Sequence, residues 1–251
     1  MKYFLILSTL LLIYACSNEP ITESNQSIEM MPDSVFESFT SLDSSKTLLI
    51  DFHYLTFKAQ NKQVTDSLNK FVIQQLGYDS LPKNVVPTNY FKEYAKAFKQ
   101  EFMGLIADSI MEYIGYEKTL QIEVAYQSEN RIGLSANGYL YTAGAHGIGS
   151  TLFANINTQN GRKISTSDCF KNTESIRINA EKIFRSNLGI TANASLNEAG
   201  FWFDNDKFTL TENFLLKDSS VTFFYNVYEI APYSNGPTSI EVPIQKNQLR
   251  F

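Results

Sequence analysis

Leu120-Gln121-Ile122-Glu123-Val124-Ala125-Tyr126-Gln127 carries the clearest period in the chain. Leu120, Ile122, Val124 and Tyr126 face one way, and Gln121, Glu123 and Gln127 face the other. A two-residue alternation is the mark of a half-buried β-strand. Ser128-Glu129-Asn130 then supplies a turn and Arg131–Ala136 the returning strand, so the segment predicts a hairpin. An amphipathic hairpin has one face that needs covering, and the flanking segments supply the cover.

Upstream, Lys46 to Phe57 alternates in the same way, with Leu48, Ile50, Phe52 and Tyr54 opposite Asp51 and His53. Two helical patterns follow. Val64, Leu68, Phe71, Val72 and Leu76 recur at steps of three and four, with Gly77 placed to cap the end. Beyond Pro82 and Pro87, one face collects Phe91, Ala95, Phe98, Phe102, Leu105, Ile106 and Tyr113, while Lys92, Lys96 and Lys99 form a solvated face. Downstream, Leu152, Ala154 and Ile156 predict a strand that turns at Asn160-Gly161 and returns through Lys163 and Ile164. Ile176, Ala180, Ile183, Phe184 and Leu188 define a third helix between Thr173 and Gly189. Phe201–Phe203, Phe208–Leu210, Val221–Tyr228 and Ile240–Ile244 are expected as strands. The expected fold is α+β, with a largely antiparallel sheet and about three packed helices.

The 251 residues suffice for a substantial core, and 43% are hydrophobic with 34 aromatics among them (19 Phe, 14 Tyr, 1 Trp). Such a chain is not disordered. A net charge of −5 supplies no general basic field for nucleic acid. With two His and two Cys, little material exists for a protein-built metal site, and neither a metal nor another cofactor is expected.

Met1-Lys2 opens onto an apolar run from Tyr3 to Ala15, too short to span a bilayer comfortably. Ile13-Tyr14-Ala15-Cys16 resembles a bacterial lipobox, which implies removal of residues 1–15 as a signal peptide and lipidation of Cys16. More than one acyl chain gives stable membrane anchoring. The expected location is therefore the bacterial cell envelope. No Asp follows Cys16, so the outer membrane is the expected address, with its face left open. Residues 16–45, rich in Ser, Glu and Asn, are expected as a tether. The body divides into an N-terminal part, 46–145, and a C-terminal part, 146–251, packed together. Cys169, beside Phe170 and with no His near it in sequence, is expected as a buried small hydrophobe rather than a nucleophile.

Two segments carry candidate site residues. Tyr141-Thr142-Ala143-Gly144-Ala145-His146-Gly147 has small residues that permit a tight crossover, and His146 within it is either a ligand-binding or acid–base group or a hydrogen-bonded structural one. Tyr225-Asn226-Val227-Tyr228-Glu229-Ile230-Ala231-Pro232-Tyr233 runs from strand into a loop bearing Tyr228, Glu229 and Tyr233. Tyrosine-rich loops suit recognition, and they also pack as hydrogen-bonded corners. No complete catalytic constellation is visible.

These two segments, with Asn157-Thr158-Gln159-Asn160-Gly161-Arg162-Lys163-Ile164 leading to Ser167-Asp168-Cys169-Phe170, resemble one envelope domain family. It is shared by the extracytoplasmic part of the anti-sigma factor RsiV and the non-catalytic region of the peptidoglycan deacetylase PdaC. The resemblance covers about residues 45 to 245; Ala143 stands where the family usually has Gly, and Cys169 where it has an aliphatic residue. RsiV-like members bind lysozyme through this domain, so the resemblance implies an envelope binding module whose ligand is a protein or a cell-wall glycan. The deacetylase's Asp-Asp and His-x-x-x-His signature is absent from this sequence. Two alternatives remain at this level: an envelope hydrolase using His146 with Glu229, and a structural protein without ligand. The oligomeric state is not legible.

Overall fold

The computed structural model describes residues 27–77, 86–108 and 112–251. The expected signal peptide and Cys16 lie outside them. Five strands form the larger sheet: β1 (Ile28–Thr40), β2 (Lys46–Ala59), β3 (Ile114–Gln127), β4 (Arg131–Thr142) and β5 (Ile148–Asn157), in that spatial order. β2 and β3 run parallel, and every other neighbouring pair is antiparallel. A parallel pair needs a long crossover. Helices α1 (Lys62–Gln74) and α2 (Pro87–Asp108) supply it and cover one face of the sheet. The alternation read from sequence selects that face: Ile50, Phe52, Tyr54, Leu120 and Ile122 are buried in a single core with Leu68, Val72, Phe91 and Phe102 of the helices.

The expected tether is corrected in part. Residues 28–40 are β1, paired with β2 from Ile28↔Ala59 to Thr40↔Thr47. An edge strand tolerates a proline and charges, so Pro32, Asp33 and Glu37 concealed it from a composition reading. Asp33 binds it to the core, accepting hydrogen bonds from the Tyr54 hydroxyl (3.0 Å) and the Thr88 hydroxyl (2.7 Å). The division expected at 145/146 also moves. β5 completes the first sheet, and its Ala154 and Ile156 belong to the first core. Tyr113 leaves the α2 stripe: the helix ends at Asp108, and Tyr113 is exposed just before β3.

The remainder builds a second core. A single helical turn, α3 (Thr166–Cys169), is capped reciprocally by Ser165 and Asp168. Helix α4 (Thr173–Asn187) packs on an antiparallel sheet of β6 (Phe214–Leu216), β7 (Ser220–Tyr225) and β8 (Thr238–Pro243). Phe201–Phe203 and Phe208–Leu210 are not strands. Their rings cluster on Phe184 at centroid distances of 4.9–5.8 Å. The Asn197 side chain meets the backbone N–H and carbonyl of Phe203, both at 2.9 Å, in place of a strand ladder. Cys169 is fully buried in this core, as expected, and burial pushes its thiol up to about 12.

Three asparagines join the halves. Asn226 and Asn213 bond the outer edge of β5: their carbonyls accept the N–H of Thr151 and Phe153, each at 2.7 Å, and both amides donate to the Thr151 carbonyl. Asn155, 1% exposed, reaches the other way, donating to Phe214 and accepting from Leu216 at 2.8 and 3.0 Å. An uncovered strand edge carries unpaired backbone groups, and here amide side chains satisfy several of them.

Candidate binding groove

Among the described residues, no helix packs over the second face of the five-stranded sheet. The polar phase of each strand lands there in register: His53 beside Gln121, Gln121 opposite Asn137, Asn137 opposite Thr151. One step along the strands, Asp51 lies beside Thr119, which faces Tyr139. The row is bonded internally. His53 Nε2 lies 3.0 Å from Asp51 Oδ1, and the Thr151 hydroxyl donates to Asn137 Oδ1 at 2.9 Å. On the edge strand, Phe36 stands opposite Asp51 and is 64% exposed.

The C-terminal half raises a wall along this floor. Phe224, Val227, Tyr233 and Pro237 close a cleft of about 600 Å³ over Asp51, His53 and the amide row. A second cleft of about 630 Å³ adjoins it, sharing Tyr139 and Tyr233 and continuing to Tyr141, Glu117 and His146. Together they form one groove with an aromatic waist. Its charged lining residues are Asp51 and Glu117; no Lys or Arg lines either cleft.

Three of the four residues expected from the sequence converge at the waist. The His146 ring stacks on Tyr233 with centroids 4.2 Å apart and planes at 24°. Tyr228 tilts against the other ring neighbour, 5.6 Å from Tyr233. The Tyr233 hydroxyl donates to the Gly147 carbonyl at 3.1 Å, and His146 Nδ1 lies 3.0 Å from the same oxygen. A carbonyl only accepts, so the Nδ1–H is the donor in this contact. Gly147 packs against Tyr139: a Cβ there would lie 2.2 Å from the Tyr139 hydroxyl oxygen, so the ring would have to shift. Tyr228 holds its ring out at φ +68°, a strained backbone for a non-glycine residue.

Glu229 does not join them. Its carboxylate accepts from the Asn226 amide at 3.1 Å, and it lines neither cleft. His146 and Glu229 form no ion pair or hydrogen bond with each other, so the hydrolytic pairing expected of them is not assembled. Ser150 and Thr151, the hydroxyls of β5 in the groove, stand three strands from His53, about 14 Å at the usual strand spacing. That separation keeps either β5 hydroxyl from pairing with His53 as a nucleophile. Among the described residues, no group of three His, Cys, Asp or Glu side chains is placed to hold a metal ion.

Asp51, His53, Gln121, Asn137 and Tyr139 were missed as site residues. Their signal was the solvent-facing phase of three strands, β2, β3 and β4, but nothing in the sequence says that β2 lies beside the β3–β4 hairpin.

Comparison with known proteins defines the class. Residues 42–149 match the family described as deacetylase PdaC, and residues 167–245 match the protein of unknown function family DUF3298. The two matches, one after the other along the chain, support a PdaC/DUF3298-type domain of unknown function. A crystal structure of a DUF3298 family member from Bacteroides fragilis NCTC 9343 superposes with a TM-score of 0.67 at 27% identity, covering 87% of this chain and 91% of that one. A DUF3298 family protein from Pseudomonas aeruginosa PAO1 shares the fold at a TM-score of 0.60 and 20% identity, over 87% and 92% of the two chains. No functionally curated protein matches.

Proposed function

We propose that the protein is a lipid-anchored cell-envelope binding module, and that its ligand is a cell-wall glycan strand lying in the groove on the open face of the sheet. The observation that carries this is the combination of a planar polar floor with an aromatic wall. Sugars present hydroxyls that pair with amide, carboxylate and imidazole groups in their own plane. Their C–H faces stack on rings such as Tyr139 and Tyr233. The charge of the lining narrows the ligand. Asp51 and Glu117 without any Lys or Arg disfavour an anionic polymer and suit a neutral or amine-bearing one. A structural spacer has no use for a groove of this kind. Lipid anchoring rests on the lipobox at Cys16.

Isothermal titration of the intact protein with N-acetylated chitooligosaccharides, and with partly deacetylated ones, tests the reading. Saturable binding that Tyr233→Ala weakens supports it. Binding of lysozyme in the same titration format, with silence towards both sugars, replaces the glycan by a cationic protein ligand. Shortened oligosaccharides in the cell would overturn the reading in favour of hydrolysis.

A further inference from the structure

A third cavity, of about 770 Å³, lies on the helix side of the sheet between α1 and the turn that follows β5. Lys70 of α1 lines it together with Arg162 and Lys163 of the turn, over a floor that includes Phe71 and Ile156. No Asp or Glu lines it. The three cations come from segments some ninety positions apart in sequence. They converge in a protein of net charge −5 whose other groove has carboxylates and no cation.

The cationic side chains are not committed elsewhere. Among the described residues none of the three forms an ion pair. Asp66, one helical turn before Lys70, is held through both oxygens by Lys62 at 2.6 and 2.7 Å. Asp168 is within electrostatic reach of Arg162, but its carboxylate is engaged by the hydroxyl and N–H of Ser165 at 2.7 and 3.0 Å.

The backbone beneath the cations is rigid. Asn61, which caps α1, donates to the Gln159 carbonyl at 2.7 Å. Gly161, at φ +72°, lies so close to α1 that a Cβ would come within 2.5 Å of the Gln63 carbonyl oxygen. Lys163 is bridged to Ile156, and the Asn157 N–H donates to the Arg162 carbonyl at 3.0 Å. Cations that line one cavity repel one another, a repulsion that Asp168 offsets in part at Arg162. A bound oxyanion relieves that repulsion and gains charge-assisted hydrogen bonds, the guanidinium offering a planar fork for two oxygens.

We propose that this cavity is a second ligand site, distinct from the groove, that takes a compact oxyanion carried on a partly apolar body: a phosphate ester or a carboxylate. The site lies on the face of the sheet opposite the groove, so one protein holds a neutral or cationic ligand on one side and an anionic group on the other.

Inorganic phosphate and acetate are titrated into the isotopically labelled intact protein at constant ionic strength, followed by amide NMR shifts. Saturation by phosphate, with shifts centred on Lys70 and 159–163, assigns a phosphate ester; saturation by acetate with the same map assigns a carboxylate. The double variant Lys70→Gln/Lys163→Gln is expected to weaken binding by roughly tenfold per cation removed, with an unchanged urea midpoint because both side chains are exposed and unpaired. Asp51→Asn, in the groove, should leave the anion titration unaltered. Shifts that fail to saturate, or that persist undiminished in the double variant, overturn the proposal.

Discussion

Asn226 gives Thr151 what a sixth strand would: its side-chain carbonyl accepts the Thr151 N–H at 2.7 Å and its amide donates to the Thr151 carbonyl at 3.1 Å. The same asparagine lines the groove and steadies Glu229. The joint between the halves and the wall of the candidate site are therefore one structure, and weakening the first should loosen the second. Asn155→Ala removes two bonds at a buried position and leaves Phe214 and Leu216 with unmet backbone groups. Its expected cost is about 2–3 kcal/mol, read from urea unfolding, and Asn226→Ala should cost less because its site is partly exposed. An unchanged midpoint for both variants would refute the role given to these side chains.

Tyr228 is a positioning residue for the aromatic waist. It holds a left-handed backbone conformation, which costs a non-glycine residue about 1–2 kcal/mol, while its ring leans on Tyr233. Tyr228→Gly should relieve the strain, leave stability within about 1 kcal/mol of the parent, and still weaken glycan binding. A stability loss well beyond that range, with binding intact, would mark the tyrosine as structural.

Ala143 adopts φ +55° in the crossover before β5, where the resembling family usually carries glycine. The conformation explains that preference. Ala143→Gly is expected to raise stability by roughly 0.5–1 kcal/mol, the strain released exceeding the entropy glycine adds to the unfolded chain. Thermal unfolding measures the difference, and a lowered midpoint would contradict it.

Acid should loosen β1 first. Hydrogen bonds from Thr88, then from the Ser34 N–H and Tyr54, hold the Asp33 carboxyl below the usual carboxylate range against a smaller opposing effect of burial. A folded-state pKa below the unfolded one stabilises the fold above the unfolded value, near 4, and that stability is lost as the pH falls through the lower folded value. Hydrogen exchange in β1 should accelerate over that acidic window, and Asp33→Asn should flatten the dependence. Equal acceleration in the variant would assign the effect to other carboxyls.

Cys169 should resist modification. Its thiol is fully buried and pushed up to about 12, so the nucleophilic thiolate is scarce near neutrality. A thiol reagent at pH 8 should label Cys169 only as fast as the protein unfolds, read on its own peptide apart from Cys16, and labelling should become immediate in denaturant. Rapid labelling under native conditions would show that the site opens.

The lessons of the sequence concern which side chains face a core. Alternation in 46–57 and 120–127, and the three- and four-residue steps in α1, α2 and α4, select one buried face per element because water must be kept from it. The α+β class follows from that, and the burial of Cys169 from its aromatic neighbour Phe170 and the lack of a nearby His. β1 escaped because an edge strand buries one side only and accepts Pro32, and the Phe201 and Phe208 segments misled because burial without a ladder resembles a strand in one dimension. The site divided in the same manner. His146, Tyr228 and Tyr233 could be singled out because they sit in compact motifs. The floor of Asp51, His53, Gln121 and Asn137 exists only through register, since pairing β2 with β3 across the helical crossover sets residues seventy positions apart side by side. Patterns of hydropathy decide which way a side chain points; only the folded sheet decides what stands next to it.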